Sequence, residues 1–203
     1  MHSGFLTVDG EKMSKPLGNF IAIRDFTSRH SPRLLRFLVA KTHYRSPINY
    51  SDNILGQTRN ELDRIDEFVK AGAAHITFHA EAVTNPGEQK HLVEIIRSKN
   101  CTAGIAINPD TGLDAISGVV DDIDLVLCMT VVPGFSGQSF HAEVLPKIEE
   151  LRKGHPDLMI QVDGGINADT GKQCREAGAN NLVAASFIFG SEDRKGAIEA
   201  LRS

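Results

Sequence analysis

Four stretches of this 203-residue chain hold residue types that can do chemistry. Met129-Thr-Val-Val-Pro-Gly-Phe-Ser-Gly-Gln138, Ile160-Gln-Val-Asp-Gly-Gly-Ile166 and Leu182-Val-Ala-Ala-Ser-Phe-Ile-Phe-Gly190 each follow or end an apolar run. Gly134, Gly137, Gly164 and Gly165 could let backbone amides approach phosphate oxygens; the plainer alternative is service in tight turns. Asp163 ends its run directly before two glycines. A carboxylate there is either a general acid/base or metal ligand, or the cap of a turn. The fourth stretch, Gly10-Glu-Lys-Met-Ser-Lys-Pro-Leu-Gly-Asn-Phe20, sets Lys12 and Lys15 around a small polar loop. Two such lysines could neutralise phosphate charge as a nucleotide reacts, or they form a solvated basic loop.

The elements that must position these residues fall into two patterns. Up to residue 30 the chain reads as loop with short extended pieces such as 5–8. Ser31-Pro32 then opens a helix to Lys41, with proline at the first helical position. After a connector over 44–50, Ser51-Asp52 starts a second helix. Its apolar positions Leu55, Thr58, Leu62, Ile65 and Val69 form one stripe, and Gly72 stops it. Beyond Gly72, apolar runs at 75–79, 102–107, 124–131, 158–162 and 181–185 alternate with amphipathic stretches at 86–99, 111–120, 139–153, 168–177 and 191–201. Strand starts lie 22 to 34 residues apart, the pitch of βα units, which implies a parallel sheet with helical crossovers. Five units could close as a doubly wound sheet or form part of an eight-stranded barrel. In either, the three glycine-bearing loops converge on the C-terminal end of the sheet.

Composition narrows the setting. Hydrophobic residues make up 41% and charged residues 24%, a globular balance with apolar mass for a core. No apolar run approaches the ~18 residues of a membrane span, and no charged-then-apolar leader follows Met1, so neither membrane nor secretion is expected. Cys101, Cys128 and Cys174 have neither disulfide nor zinc spacing, which suits a reducing cytoplasm. Net charge is −4, divided between +3 over residues 1–66 and −7 over the rest. The positive segment is too mildly basic to imply a nucleic-acid partner.

With its flanks, His2 to Gly10 before it and Asn19-Phe20, Arg24-Asp25 and Thr42 to Ser51 after it, the Lys-Met-Ser-Lys loop resembles cysteinyl-tRNA synthetases over about residues 1–64. The resemblance implies an ATP-binding role for Lys12 and Lys15, with tRNA as a partner under that reading alone. Pro16 replaces the closing serine of that family's loop. The family's nucleotide-binding fold and its zinc ligands lie upstream of this point and have no counterpart here.

From about Phe68 onward the chain resembles ribulose-phosphate 3-epimerases. The match runs through Thr77-Phe-His-Ala-Glu81, Gly104-Ile-Ala-Ile-Asn-Pro109 with Thr111, the loops at 129–138 and 160–166, and Ser191-Glu-Asp193. The resemblance implies an α/β fold, a partial (β/α)8 TIM barrel of about five βα units preceded by a loop-plus-helical segment. It divides the chain into 1–66 and 67–203. It also implies inversion at C3 of a pentulose 5-phosphate through a metal-bound enediolate, with two aspartates as acid and base. By position, Asp163 would be metal ligand and one of the two acid/bases. Gly134, Phe135, Ser136 and Gly137 would form the loop over substrate, Gly164, Gly165, Ala185 and Ser186 would hold phosphate, and Met129 would belong to the apolar wall. Ser136 and Ala185 stand where the family has glycine. The second aspartate and two metal-binding histidines lie on family strands replaced here by the N-terminal segment. A divalent metal of unspecified identity is therefore expected with an incomplete site, and the chain is expected to be inactive alone. Of the remaining histidines, His79 reads as structural. Five strands of eight leave two open edges, through which homo-oligomers are expected.

Overall fold

In the computed structural model, which describes residues 6–40, 48–132, 134 and 139–203, the chain divides into two units. One comprises the residues up to Ile76 together with Thr84–Cys101. The other comprises Thr77–Val83 and Thr102–Ser203.

In the first unit, β1 (Leu6–Val8) pairs antiparallel with β2 (Glu11–Lys12) and parallel with β3 (Ile48–Tyr50). Asp9 and Gly10, both at positive φ, make the two-residue connection that matches hairpin twist. The expected loop up to residue 30 also contains a helix, α1 (Ile23–Arg29), whose N-cap Ala22 makes no side-chain cap bond. With neither a capping residue nor length, its signal is tertiary: Phe26 is buried with its ring 5.8 Å from that of Tyr50. α2 (Pro32–Ala40) begins as the Ser-Pro pair requires. The connector between it and β3 lies outside the described residues over 41–47.

α3 (Asp52–Lys70) starts where Ser51 Oγ accepts from the Ile54 amide at 3.3 Å. Leu55, Thr58, Leu62 and Ile65 are buried along one stripe. Thr58 can sit there because its hydroxyl donates to Ile54 O at 2.7 Å, satisfying the polar group inside an apolar face. α4 (Pro86–Arg97) is capped by Asn85, which accepts from the Gly87 amide at 2.8 Å.

The parallel sheet has the order β4 (His75–His79), β5 (Thr102–Ile107), β6 (Leu125–Met129), β7 (Met159–Asp163), β8 (Asn181–Val183). Ala103, Ile105, Ala106, Ile107, Val126, Cys128, Ile160 and Val162 are all fully buried. In β5 burial is continuous from Ala103 to Ile107, the mark of a parallel strand covered on both faces, whereas in β7 it alternates. The helices after β6 are α5 (Leu145–Gly154), α6 (Ala168–Ala177), α7 (Ala185–Phe189) and α8 (Arg194–Arg202).

Two local expectations are corrected. The amphipathic stretch at 111–120 is no α-helix but a pair of 3-10 turns, Leu113–Ile116 and Val120–Asp122. Ser117 turns its hydroxyl back to Asp114 O at 2.9 Å, and Gly118 follows it, so side-chain competition and backbone entropy both oppose helix propagation. The last strand ends at Val183 rather than 185, and Ala185 opens α7. The whole is an α/β fold whose core is a partial barrel, with β4 and β8 as its edge strands.

Candidate phosphate site

The C-terminal ends of β6 and β7 carry the site. Their register sets Met129 opposite Asp163, and the Thr130 amide donates to Asp163 O at 2.8 Å. Thr130 is completely buried, and its hydroxyl donates to Gly164 O at 2.6 Å. Its carbonyl accepts from the His141 amide at 2.9 Å, which closes the far end of the connection leaving β6. On the other side of the turn, Thr170 of α6 donates from its hydroxyl to Gly165 O at 2.9 Å and accepts from the Asn167 amide.

Here the two glycines are obligatory. Gly164 has φ +122°, and a Cβ there would lie 2.4 Å from a methyl of Val131. At Gly165, φ is +64° and a Cβ would stand 3.2 Å from Phe140. Only glycine combines these angles with so close an approach of backbone to side chain.

Asp163 itself is half-buried, and that burial raises its carboxyl above the ordinary aspartate range. A carboxyl shifted this way can hold and release a proton nearer neutrality than a solvated one. Met129 is buried beside it in the β6 register. Gly134 is exposed at φ +143°, whereas Phe135, Ser136 and Gly137 lie outside the described residues. Ala185 and Ser186 are exposed at the start of α7.

Beside β5 is a second polar assembly, in which His79 alone has a role expected from the sequence. Glu81 accepts from the Asn108 amide at 2.8 Å, from the Thr111 hydroxyl, and from His79 Nδ1 at 3.3 Å. Burial raises the Glu81 carboxyl, but these hydrogen bonds outweigh it and hold the group below its usual range. Lys147 donates to the carbonyls of Asn108, Pro109 and Thr111, so the 108–111 loop is clamped by an anion and a cation together. His79 is thereby engaged in a structural pair, in agreement with its sequence reading.

The described residues do not fit a resident divalent metal. Among the described residues no three His, Cys, Asp or Glu side chains converge to hold one. Asp163 alone cannot fill a sphere of six or more oxygens. The thiols offer no substitute, since burial pushes Cys128 up to about 12 and Cys174 up to about 11. Neither thiol is a ready thiolate.

In the first unit, Lys12 and Lys15 are exposed. Asn19 shapes their loop, accepting from the Ser14 amide at 2.8 Å and donating to Lys12 O at 3.2 Å. The Lys15 ammonium lies 5.5 Å from the centre of the Phe20 ring. No helix among the described residues is long and apolar enough to cross a membrane.

Glycine turns at the C-terminal ends of parallel strands are where α/β barrels build phosphate sites. The chain belongs to the ribulose-phosphate 3-epimerase family, whose sequence model matches residues 59–189. The ribulose-phosphate 3-epimerase of Bacillus subtilis (strain 168) is 47% identical over 148 residues, covering 70% of this chain and 67% of that protein. The Eremothecium gossypii enzyme is 42% identical, covering 68% of this chain and 56% of its own length, and the Mycobacterium leprae enzyme is 42% identical, covering 66% and 61%. The chain thus spans between just over half and two thirds of the length of these relatives. Residues 1–60 match a second sequence model, that of the class I (C) tRNA synthetase catalytic domain. In fold, the crystal structure of 3-hexulose-6-phosphate synthase superposes with a TM-score of 0.51 at 17% identity, covering 90% of this chain and 84% of that one.

Proposed function

We propose that this chain is an epimerase-family protein that keeps the phosphate-binding half of a site for ribulose 5-phosphate and xylulose 5-phosphate and does not interconvert them alone. The observation that carries the reading is the Asp163-Gly164-Gly165 turn, with its carbonyls bound inward and its carboxyl raised by burial. Gly164 and Gly165 take the phosphate together with Ala185 and Ser186, and Gly134 to Gly137 belong to the loop over the sugar. Met129 supplies apolar wall. Asp163 holds or moves the proton on one face of C3.

Inversion needs a second acid/base on the opposite face and a means of stabilising the enediolate charge. His79 is occupied by Glu81, which is itself held by Asn108 and Thr111. With His79 so engaged, no second acid/base facing Asp163 is assigned among the described residues.

The N-terminal match favours a second component: residues 1–66 as a cysteinyl-tRNA synthetase-derived piece, with Lys12 and Lys15 as a vestigial ATP loop, joined to a 67–203 epimerase-like part. Free, buried cysteines fit a reducing cytoplasmic compartment. The unpaired edge of β8 lies beside a groove of about 420 Å³ lined by Leu182, Ile188, Ile198 and Leu201, which supports association between copies.

Calorimetric titration tests the half-site. Ribulose 5-phosphate is expected to bind and unphosphorylated ribulose is not. Equal affinity for both, or for neither, would contradict the reading; ATP binding lost in the Lys12→Ala/Lys15→Ala double variant would favour the synthetase component.

A further inference from the structure

The candidate site has a feature that reaches beyond its glycines. The three successive carbonyls of the turn are all taken by protein donors: Asp163 O by the Thr130 amide, Gly164 O by the Thr130 hydroxyl, and Gly165 O by the Thr170 hydroxyl. In a planar trans peptide the N–H of the following residue points opposite to the C=O. Fixing the second and third carbonyls aims the amides of Gly165 and Ile166 each away from the threonine that holds its peptide, and no acceptor among the described residues meets either amide. The Gly164 amide faces β8 instead, where the register sets Asp163 against Val183. Successive outward amides form a concavity that binds anions.

We infer that Thr130 and Thr170 are positioning residues that hold the Asp163–Ile166 backbone with the Gly165 and Ile166 amides turned out to receive a phosphate. The inference rests on the proposed phosphate half-site and adds what orients it. Two hydroxyls do so: Thr130 from the buried end of β6, and Thr170 from the first turn of α6. Thr170 can serve because its oxygen is itself fixed by the Asn167 amide at 2.9 Å. Glycine at 164 and 165 gives the chain access to the required angles but does not select them, because glycine visits many others. The hydroxyls supply that selection. They touch no substrate and move no proton.

The test follows the amide resonances of Gly165 and Ile166 by 15N–1H NMR while the full chain is titrated with inorganic phosphate, then with ribulose 5-phosphate. Wild type is expected to show saturable shifts at these amides. Thr130→Val and Thr170→Val are each expected to weaken phosphate by about tenfold, the loss of one orienting hydrogen bond. Thr130→Ser and Thr170→Ser, which restore the hydroxyl, should stay within about threefold of wild type. A purely structural role would give serine and valine variants of equal affinity once both are folded. If the valine variants bind like wild type with the same amides shifting, the positioning role is overturned and the half-site stands. If wild type shows no saturable shift at these amides with either probe, both are overturned. Should Thr130→Val fail to fold, Thr170→Val, whose side chain is only partly buried, decides by the same criteria.

Discussion

The two phosphate-binding candidates, the lysine loop of the first unit and the glycine turn after β7, solve the same electrostatic problem with different parts. Lys12 and Lys15 offer full charges on exposed, rotamer-rich side chains of a loop that Asn19 helps to shape. The glycine turn offers only partial charges from backbone amides. Each of its carbonyls is tied, and Val131 and Phe140 press on its glycines. A flexible ammonium must be ordered when an anion arrives, at a cost of up to ~2 kcal/mol in side-chain entropy, whereas a pinned amide is ordered by folding. The stronger charge therefore resides in the less organised site, and preorganisation favours the turn.

Substitutions can break that contrast, and the largest effect belongs to Gly164→Ala. Its methyl would overlap Val131 at a positive φ, and we expect a loss of about 3 kcal/mol or more in urea unfolding. Gly134→Ala would meet no atom of the described residues within 4 Å at φ +143° and should cost about 1 kcal/mol, from backbone strain. Similar losses for both would show that the approach of Val131 is not what constrains the turn. Glu81→Ala removes the anion that holds Asn108 and Thr111, for an expected loss of about 2 kcal/mol. Because the folded pKa of Glu81 is depressed, the stability it contributes is present above its unfolded pKa and fades as pH falls through the folded one. The wild-type advantage over Glu81→Ala should therefore shrink in acid, and a pH-independent difference would refute the charge-based account of the clamp. In the other region, the Lys12→Ala/Lys15→Ala double variant should leave stability within about 0.5 kcal/mol. It should also leave phosphate affinity at the glycine turn unchanged.

The smallest effect sharpens the role of Asp163. Its folded pKa is raised, so the folded state binds the proton more tightly, and the charged form weakens folding above the unfolded pKa. Asp163→Asn should raise Tm slightly at pH 7, with the gain disappearing as pH falls below the ordinary aspartate range near ~3.9. A lower Tm at pH 7 would mean the carboxylate is stabilised by contacts rather than strained by burial.

How much of this was legible in the sequence differs between the same regions. The stripe Leu55, Thr58, Leu62, Ile65 and the strand at 102–107 show in the sequence because burial there follows local periodicity. Asp163-Gly-Gly is legible as a turn because positive φ demands glycine. Thr130 is not, since its partner Gly164 lies 34 residues away and is brought near only by the β6–β7 register. The Glu81 clamp is hidden likewise, with its groups coming from the end of β4 and the turn after it, the loop after β5, and α5. α1 escapes the sequence because it has no cap and a single buried residue, Phe26. Local rules place elements, whereas the groups that orient a site are chosen by sheet pairing.

The central claim is that this chain binds a pentulose phosphate with one face of a proton-transfer site. The most direct test incubates the purified full chain with ribulose 5-phosphate and follows the sugar by 13C NMR, with Asp163→Asn as the control. The account predicts bound ribulose 5-phosphate and no xylulose 5-phosphate above the control. Accumulation of xylulose 5-phosphate that depends on Asp163 would contradict it.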